Sequence, residues 1–431
     1  MNNIYIWIAA LAVYGDLLKR LIPGALAVAA LYVLAISILI SIIIRKKSKK
    51  CSYRLSKEGK IISMMSVAII YIYVLQIPLA YNVNMVDSVM VTLYMATPLL
   101  YIIVISKYCP DFDLTKLARP LLWMMIPINI VGIIQSFINP EFLVSTSYIE
   151  TGGIVSRNLI SGGAFNKYPS IFASPDRYSG MGLMQFYFTV VLLNNETAPT
   201  RYQLLWITFN FISGCIGLAI SGARIRILIL MLVLMLALLT FVLGVKSAKQ
   251  MKNFIKLLGA ATIVVLIASF AMVLDPQLGD KLFESVPIIG MMIDTFETGD
   301  ATNRSSEGIE KSMIPDNISL FGEGLGSLST GGNPPEFALS SIWIESGIFF
   351  GIMMLFAFTT ILLMLVRLTF LALKRRLVMQ VIISSVPFLL ILVALLTGFK
   401  AAFELSAGIL LGCSIAAISC KKVVRLNTLK Q

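Results

Sequence analysis

Two guanidiniums, Arg224 and Arg226, sit at the head of a long apolar run that begins with Ser221-Gly-Ala-Arg-Ile-Arg226. A planar guanidinium grips phosphate oxygens two at a time, so cations at the end of a membrane span suit an anionic ligand held at the interface. Positions two apart lie about 200° apart around a helix. Only one of the pair can therefore turn into a given cavity, and Arg224 is assigned that role; snorkelling of both side chains to lipid headgroups accounts for them equally well. Nine further cations fall on the same side of the membrane in the layout below: Lys19, Arg20, Arg157, Lys167, Arg177, Lys281, Arg304, Lys311 and Lys400. The chain has no histidine, which removes the usual neutral-pH base and the commonest metal ligand. The cysteines, at 51, 109, 215, 413 and 420, lack metal spacing and are expected in helices or on the inner side, without disulfides. Glu345 is the exception to helix interiors otherwise free of ionisable groups. An acid in the first turns of a helix is also what the helix dipole favours, and Asp176 beside Arg177 reads as a surface pair.

These residues have to be positioned by membrane-spanning helices. The composition is 58% hydrophobic and only 13% charged, with a mean hydropathy of +0.88, which predicts an all-α polytopic bundle. Residues 1–10 lack a cationic leader and a small-residue cleavage site, so they are expected to form a retained first helix. About twelve spans are predicted, over residues 4–18, 24–44, 61–79, 88–106, 118–138, 178–194, 203–221, 224–245, 254–274, 338–366, 378–396 and 402–420. The basic run from Arg45 to Lys50 anchors the second loop in the cytoplasm, and an even span count places both termini there. Charge follows the same division: 24 of the 35 Lys and Arg fall in inner segments, and 18 of the 22 acids in outer ones. The net charge of +13 is thus a topology signal that suits anionic lipid, and nucleic acid need not be invoked.

Two outer loops, residues 139–177 and 275–337, exceed the roughly 12 to 15 residues of ordinary connectors. The second carries an apolar stretch, Val286 to Ile293, suited to a short interfacial helix, and glycine-rich turns at Phe321-Gly-Glu-Gly-Leu-Gly326 and Thr330-Gly-Gly-Asn-Pro-Pro335. No repeat or low-complexity segment divides the chain, so residues 1–431 read as one membrane domain with an outer cap. Broken helices in inverted repeats, a mark of transporters, are not evident from the sequence.

Four segments together carry a resemblance. Ser221-Gly-Ala-Arg224 is similar to the Ser-x-Ser-Arg element of the O-antigen ligase and Wzy-type O-antigen polymerase superfamily. Thr302-Asn-Arg304, followed by Leu320-Phe-Gly-Glu-Gly-Leu-Gly326, resembles that family's Arg, short helix and Gly-x-Gly-x-Gly turn. Glu345-Ser-Gly347-Ile-Phe-Phe-Gly351 resembles its Glu-x-Gly-x-x-Gly, and Ala173-Ser-Pro-Asp-Arg177-Tyr-Ser-Gly180 resembles the exit from its first large periplasmic loop. The match covers about residues 155–360 and rests on order as much as on letters. Ligases of the family carry a His-Asn before the Glu-x-Gly segment; here that stretch reads Asn333-Pro-Pro-Glu336, which favours a polymerase.

The resemblance implies a bacterial inner-membrane glycosyltransferase whose active site faces the periplasm, using no metal, nucleotide sugar or other cofactor. Its substrates would be undecaprenyl-diphosphate-linked oligosaccharides, as donor and acceptor, with a chain-length regulator protein as a further partner. Arg224 and Arg304 would stabilise the departing diphosphate, and Glu336, in the place of the family's His, would be the base. Arg177, Arg157 and Lys167 would hold the second diphosphate or the glycan, with Arg226 and Glu345 in support. Tyr148, Tyr168, Tyr178 and Trp343 would stack on sugar rings or form an interfacial belt. A lipid-linked polysaccharide flippase or other transporter, and a ligase-like transferase to another acceptor, are the alternatives.

Overall fold

The computed structural model describes residues 2–21, 24–47, 55–79, 83, 85–109, 112–139, 142–143, 168–172, 175–195, 201–221, 224–245, 248–256, 259, 319–325, 338–397 and 405–419. Among these, the regular elements are helical and no strand occurs. Eleven long helices follow one another: α1 (Asn2–Leu21), α2 (Gly24–Lys47), α3 (Lys57–Gln76), α4 (Met85–Tyr108), α5 (Leu114–Phe137), α6 (Pro175–Asn195), α7 (Arg201–Ser221), α8 (Arg224–Val242), α9 (Ala338–Lys374), α10 (Val378–Thr397) and α11 (Leu405–Ser419). Residues 248–256 are also helical. Six helices, α3, α4, α5, α7, α9 and α10, are long and apolar enough to cross a membrane; α1, α2, α8 and α11 contain shorter apolar stretches. The stretch at 254–274 reaches the described residues only at its start, and the Val286–Ile293 segment lies outside them.

Helix ends follow local chemistry. Ser56 caps α3 by accepting from the Gly59 amide at 2.9 Å while donating to the Ser419 carbonyl at 2.7 Å. Asp113 caps α5 through the Thr115 amide at 2.9 Å. Each cap satisfies an amide that the first turn leaves without a partner.

The centre of the bundle is α6, buried from Tyr178 to Asn194 and packed against α5, α7, α8, α10 and α11. It is the least apolar of the long helices, because protein surrounds it instead of lipid. Asn129 on α5 donates to Gln185 on α6 and to Ser213 on α7, and accepts from the Tyr178 hydroxyl; Gln185 in turn donates to Asn210. With no water to compete, such bonds hold three helices in register. The backbones of α6 and α7 approach closely where Gly182 faces Gly214. Large apolar side chains on other helices, among them Trp7, Ile44, Tyr71, Trp123, Phe356 and Phe370, are more than half exposed and would meet lipid acyl chains.

Contacts between helix ends sort into two sets. One joins Tyr5 with Asp113, Ser56 with Ser419, Thr115 with Asn195, Asn253 with Leu193, Glu58 with Arg367, and the end of α8 at Gly244 with Arg376. The other joins Asp16 with Arg177, Gln135 with Ser170, Ile220 with Tyr168, Ser88 with Leu325, and Gln76 with Ser346. Successive helices from α1 to α8, and from α9 to α11, therefore run in alternating directions.

Candidate functional site

The second set of contacts defines the end of the bundle that carries the candidate residues. Gln135, near the end of α5, donates to the carbonyls of Phe142 and Ser170 at 2.7 and 2.9 Å and accepts from the Ser170 amide at 2.7 Å. The Ser170 hydroxyl donates to the Ile128 carbonyl. One side chain thus ties residues 142 and 170, near the two margins of the 139–177 loop, to α5, and the Tyr168 amide extends the tie to the Ile220 carbonyl, next to Ser221. Gln135→Ala would leave buried backbone groups unsatisfied, at about 1 to 3 kcal/mol each. The expected result is a lower melting temperature in detergent and faster protease cleavage after residue 143.

Arg177 lies in the first turn of α6. Its Nη1 donates to Oδ1 and Oδ2 of Asp16 on α1 at 2.8 and 3.0 Å, with side-chain exposures of 20% and 7%. Arg177 thus pairs with an acid 161 residues away, while the side chain of Asp176, expected to form a surface pair with it, lies outside the described residues. Asp16 was missed in the sequence. The available signal was an acid inside the last two turns of an apolar helix, which rarely occurs without a partner.

Arg226, in the first turn of α8, is 4% exposed where that helix packs on α10 and α6. It was given the supporting role, yet it is the member of the pair seen to be buried in protein; the Arg224 side chain lies outside the described residues. Arg157, Lys167, Arg304, Glu336 and Tyr148 also lie outside them. Of the proposed sugar-stacking rings, Tyr178 and Tyr168 are corrected: both are buried, Tyr178 with its hydroxyl on Asn129 and its face against Phe172. Trp343 is half-buried, its ring lying against Gly351.

At Gly347 helix α9 is interrupted, with φ 67° and ψ −176°, a conformation open essentially to glycine alone. An uninterrupted α-helix would bond the amides of Ile348 and Phe349 to the carbonyls of Ile344 and Glu345. Here Ser319–Gly324 inserts between them. Ile348 and Phe349 donate to the Ser319 and Leu320 carbonyls at 3.2 and 3.1 Å, and the Ile344 and Glu345 carbonyls accept from Glu323 and Gly324 at 2.8 and 3.1 Å. A helix break was not expected from the sequence, because Gly347 reads as one more glycine in an apolar run. Two motifs quoted above, Leu320–Gly326 and Glu345–Gly351, are thereby brought into backbone contact. Glu345 is half-buried near Tyr73, and the Ser346 hydroxyl donates to Gln76 at 3.2 Å.

Arg177, Arg226 and Glu345 thus occupy one end of the bundle, opposite Arg367, Arg375 and Arg376. Compared with protein-family models, curated proteins and solved structures, the chain finds no match in any of the three.

Proposed function

We propose that the protein is a polysaccharide polymerase of the O-antigen polymerase type, which joins undecaprenyl-diphosphate-linked repeat units at the periplasmic face of the bacterial inner membrane. The observation that carries this reading is the interlocking of Leu320–Gly324 with Glu345–Phe349, two segments that resemble the family separately and are held together by backbone bonds. Two further arginines, buried Arg226 and half-buried Arg177 in its pair with Asp16, lie at the same end. The twelve-span layout, with two long outer loops and both termini in the cytoplasm, is supported by the sorting of helix ends.

In the proposed reaction a hydroxyl of the acceptor repeat attacks the anomeric carbon of the donor glycan. The new C–O bond forms as the bond from that carbon to the diphosphate oxygen breaks, and undecaprenyl diphosphate leaves with both electrons. Negative charge grows on the departing oxygen, so fixed cations stabilise the transition state more than the bound substrates. Arg224 and Arg304 take that role. Glu336 accepts the hydroxyl proton, and Arg177, Arg157 and Lys167, with Arg226 and Glu345, hold the second diphosphate or the glycan.

The interrupted α9 favours a second reading, a lipid-linked polysaccharide flippase or other transporter, since broken helices line transporter sites. In those proteins the freed backbone groups face substrate or ions, whereas here four of them are taken up by Ser319–Gly324. Expression in a host lacking its own polymerase separates the two. Restored long chains support the polymerase, whereas repeat units that cross the membrane without lengthening contradict it.

A further inference from the structure

The insert in α9 does more than close a gap in the helix. Gly322 and Gly347 face each other with no room for a side chain: a Cβ on Gly322 would collide with the Glu345 carbonyl, and one on Gly347 with the Gly322 amide. Both have positive φ, 81° and 67°. Beyond the glycines, the Ser88 hydroxyl on α4 donates to the Leu325 carbonyl at 2.8 Å, and Leu325 is 2% exposed. Phe321 packs its ring against Phe349 and Phe350. Four backbone bonds, one glycine pair, one hydroxyl and an aromatic cluster thus tie a short stretch of the second outer loop to α4 and α9 at once.

The same geometry defines an alternative. The four groups that the insert occupies include both partners of two helical rungs, Ile348 with Ile344 and Phe349 with Glu345. With the insert withdrawn, α9 can close its own ladder, provided residue 347 leaves φ 67° for helical dihedrals. Any residue other than glycine or proline at 347 favours that closed helix twice over, because it resists the left-handed conformation and forms helix more readily. Gly347 is therefore the residue on which the docked arrangement depends.

We propose that Gly347 and Gly322 are positioning residues: their contact locks Ser319–Leu325 into α9 and so fixes this stretch at the end of the bundle that carries the site proposed above. The inference rests on that reading of the site, but the lock can be measured without it. In a variant whose five cysteines are serine, Leu325→Cys should react slowly with a membrane-impermeant maleimide, because the position is buried. Adding Gly347→Ala or Gly322→Ala should raise the labelling rate about tenfold or more as the segment is released. Ser88→Ala, which removes only the hydroxyl anchor, should give a smaller rise, and Gly180→Ala, where a Cβ meets Ala407 at an ordinary 3.6 Å, should give none.

Fast labelling of Leu325→Cys with both glycines intact, or labelling unchanged by Gly347→Ala, Gly322→Ala and Ser88→Ala alike, overturns the lock. Chain length in a polymerase-deficient host supplies the second readout. Release accompanied by loss of long chains, at unchanged membrane abundance, supports the positioning role; release with normal chains overturns it. If the unmodified protein makes no long chains there, the polymerase reading fails by itself, while the labelling still decides the lock.

Discussion

Arg224→Ala is expected to abolish long polysaccharide in a polymerase-deficient host while leaving single-repeat products, with the polymerisation rate falling by about two to three decades. The magnitude follows from what the residue would do. A preorganised donor aimed at developing charge in a site shielded from water contributes roughly 2.7 to 4 kcal/mol to the transition state, and substrate binding shares little of that gain. The structure adds a comparison within one turn of α8. Arg226 is buried between helices, so Arg226→Ala should reduce both abundance and activity, whereas Arg226→Lys keeps the charge and should restore abundance. Retained long chains in Arg224→Ala would remove that residue from the mechanism.

The second large effect concerns the pair between α1 and α6. Arg177→Ala takes from Asp16, 8% exposed, the guanidinium that donates to both of its oxygens. Breaking a fully buried pair costs about 3 to 5 kcal/mol. Because the Arg177 side chain is one-fifth exposed, solvent screening brings the expectation down to about 2 to 3 kcal/mol. The double variant Asp16→Asn/Arg177→Gln removes both charges and should regain most of the lost melting temperature in detergent. Activity then distinguishes two roles for Arg177. If the guanidinium holds a substrate phosphate, the stable double variant should show a raised KM with kcat little changed; a pair with a purely structural role should recover activity along with stability.

Helices were the legible part of the sequence. Apolar runs marked the helices now seen from α1 to α11, and six of these are long and apolar enough to cross a membrane. The interior of the bundle was less so. Hydropathy carries no information on which residues face one another, so the Asn129, Gln185, Asn210 and Ser213 network, built from isolated polar residues on three helices, left no pattern to read. Tyr178 reads as a sugar-stacking or interfacial-belt ring for the same reason: an aromatic near an interface looks alike whether it faces outward or bonds Asn129.

At the site itself, order along the chain located the Gly-rich segment and the Glu345–Gly351 segment, but their docking depends on the φ of Gly347, a property of one backbone angle. Asp16 was passed over because its partner lies on α6, and the nearer acid, Asp176, offered a simpler pairing for Arg177. Pairings between distant helices were invisible wherever a local explanation sufficed.

The claim that the protein forms glycosidic bonds is tested most directly by supplying the purified protein in detergent or vesicles with a single lipid-linked repeat unit and separating the products by length. The account predicts dimers and longer chains, with one undecaprenyl diphosphate released per bond formed and no requirement for nucleotide sugar. Unchanged single repeats, or repeats moved across a vesicle membrane with no new bond, would contradict it.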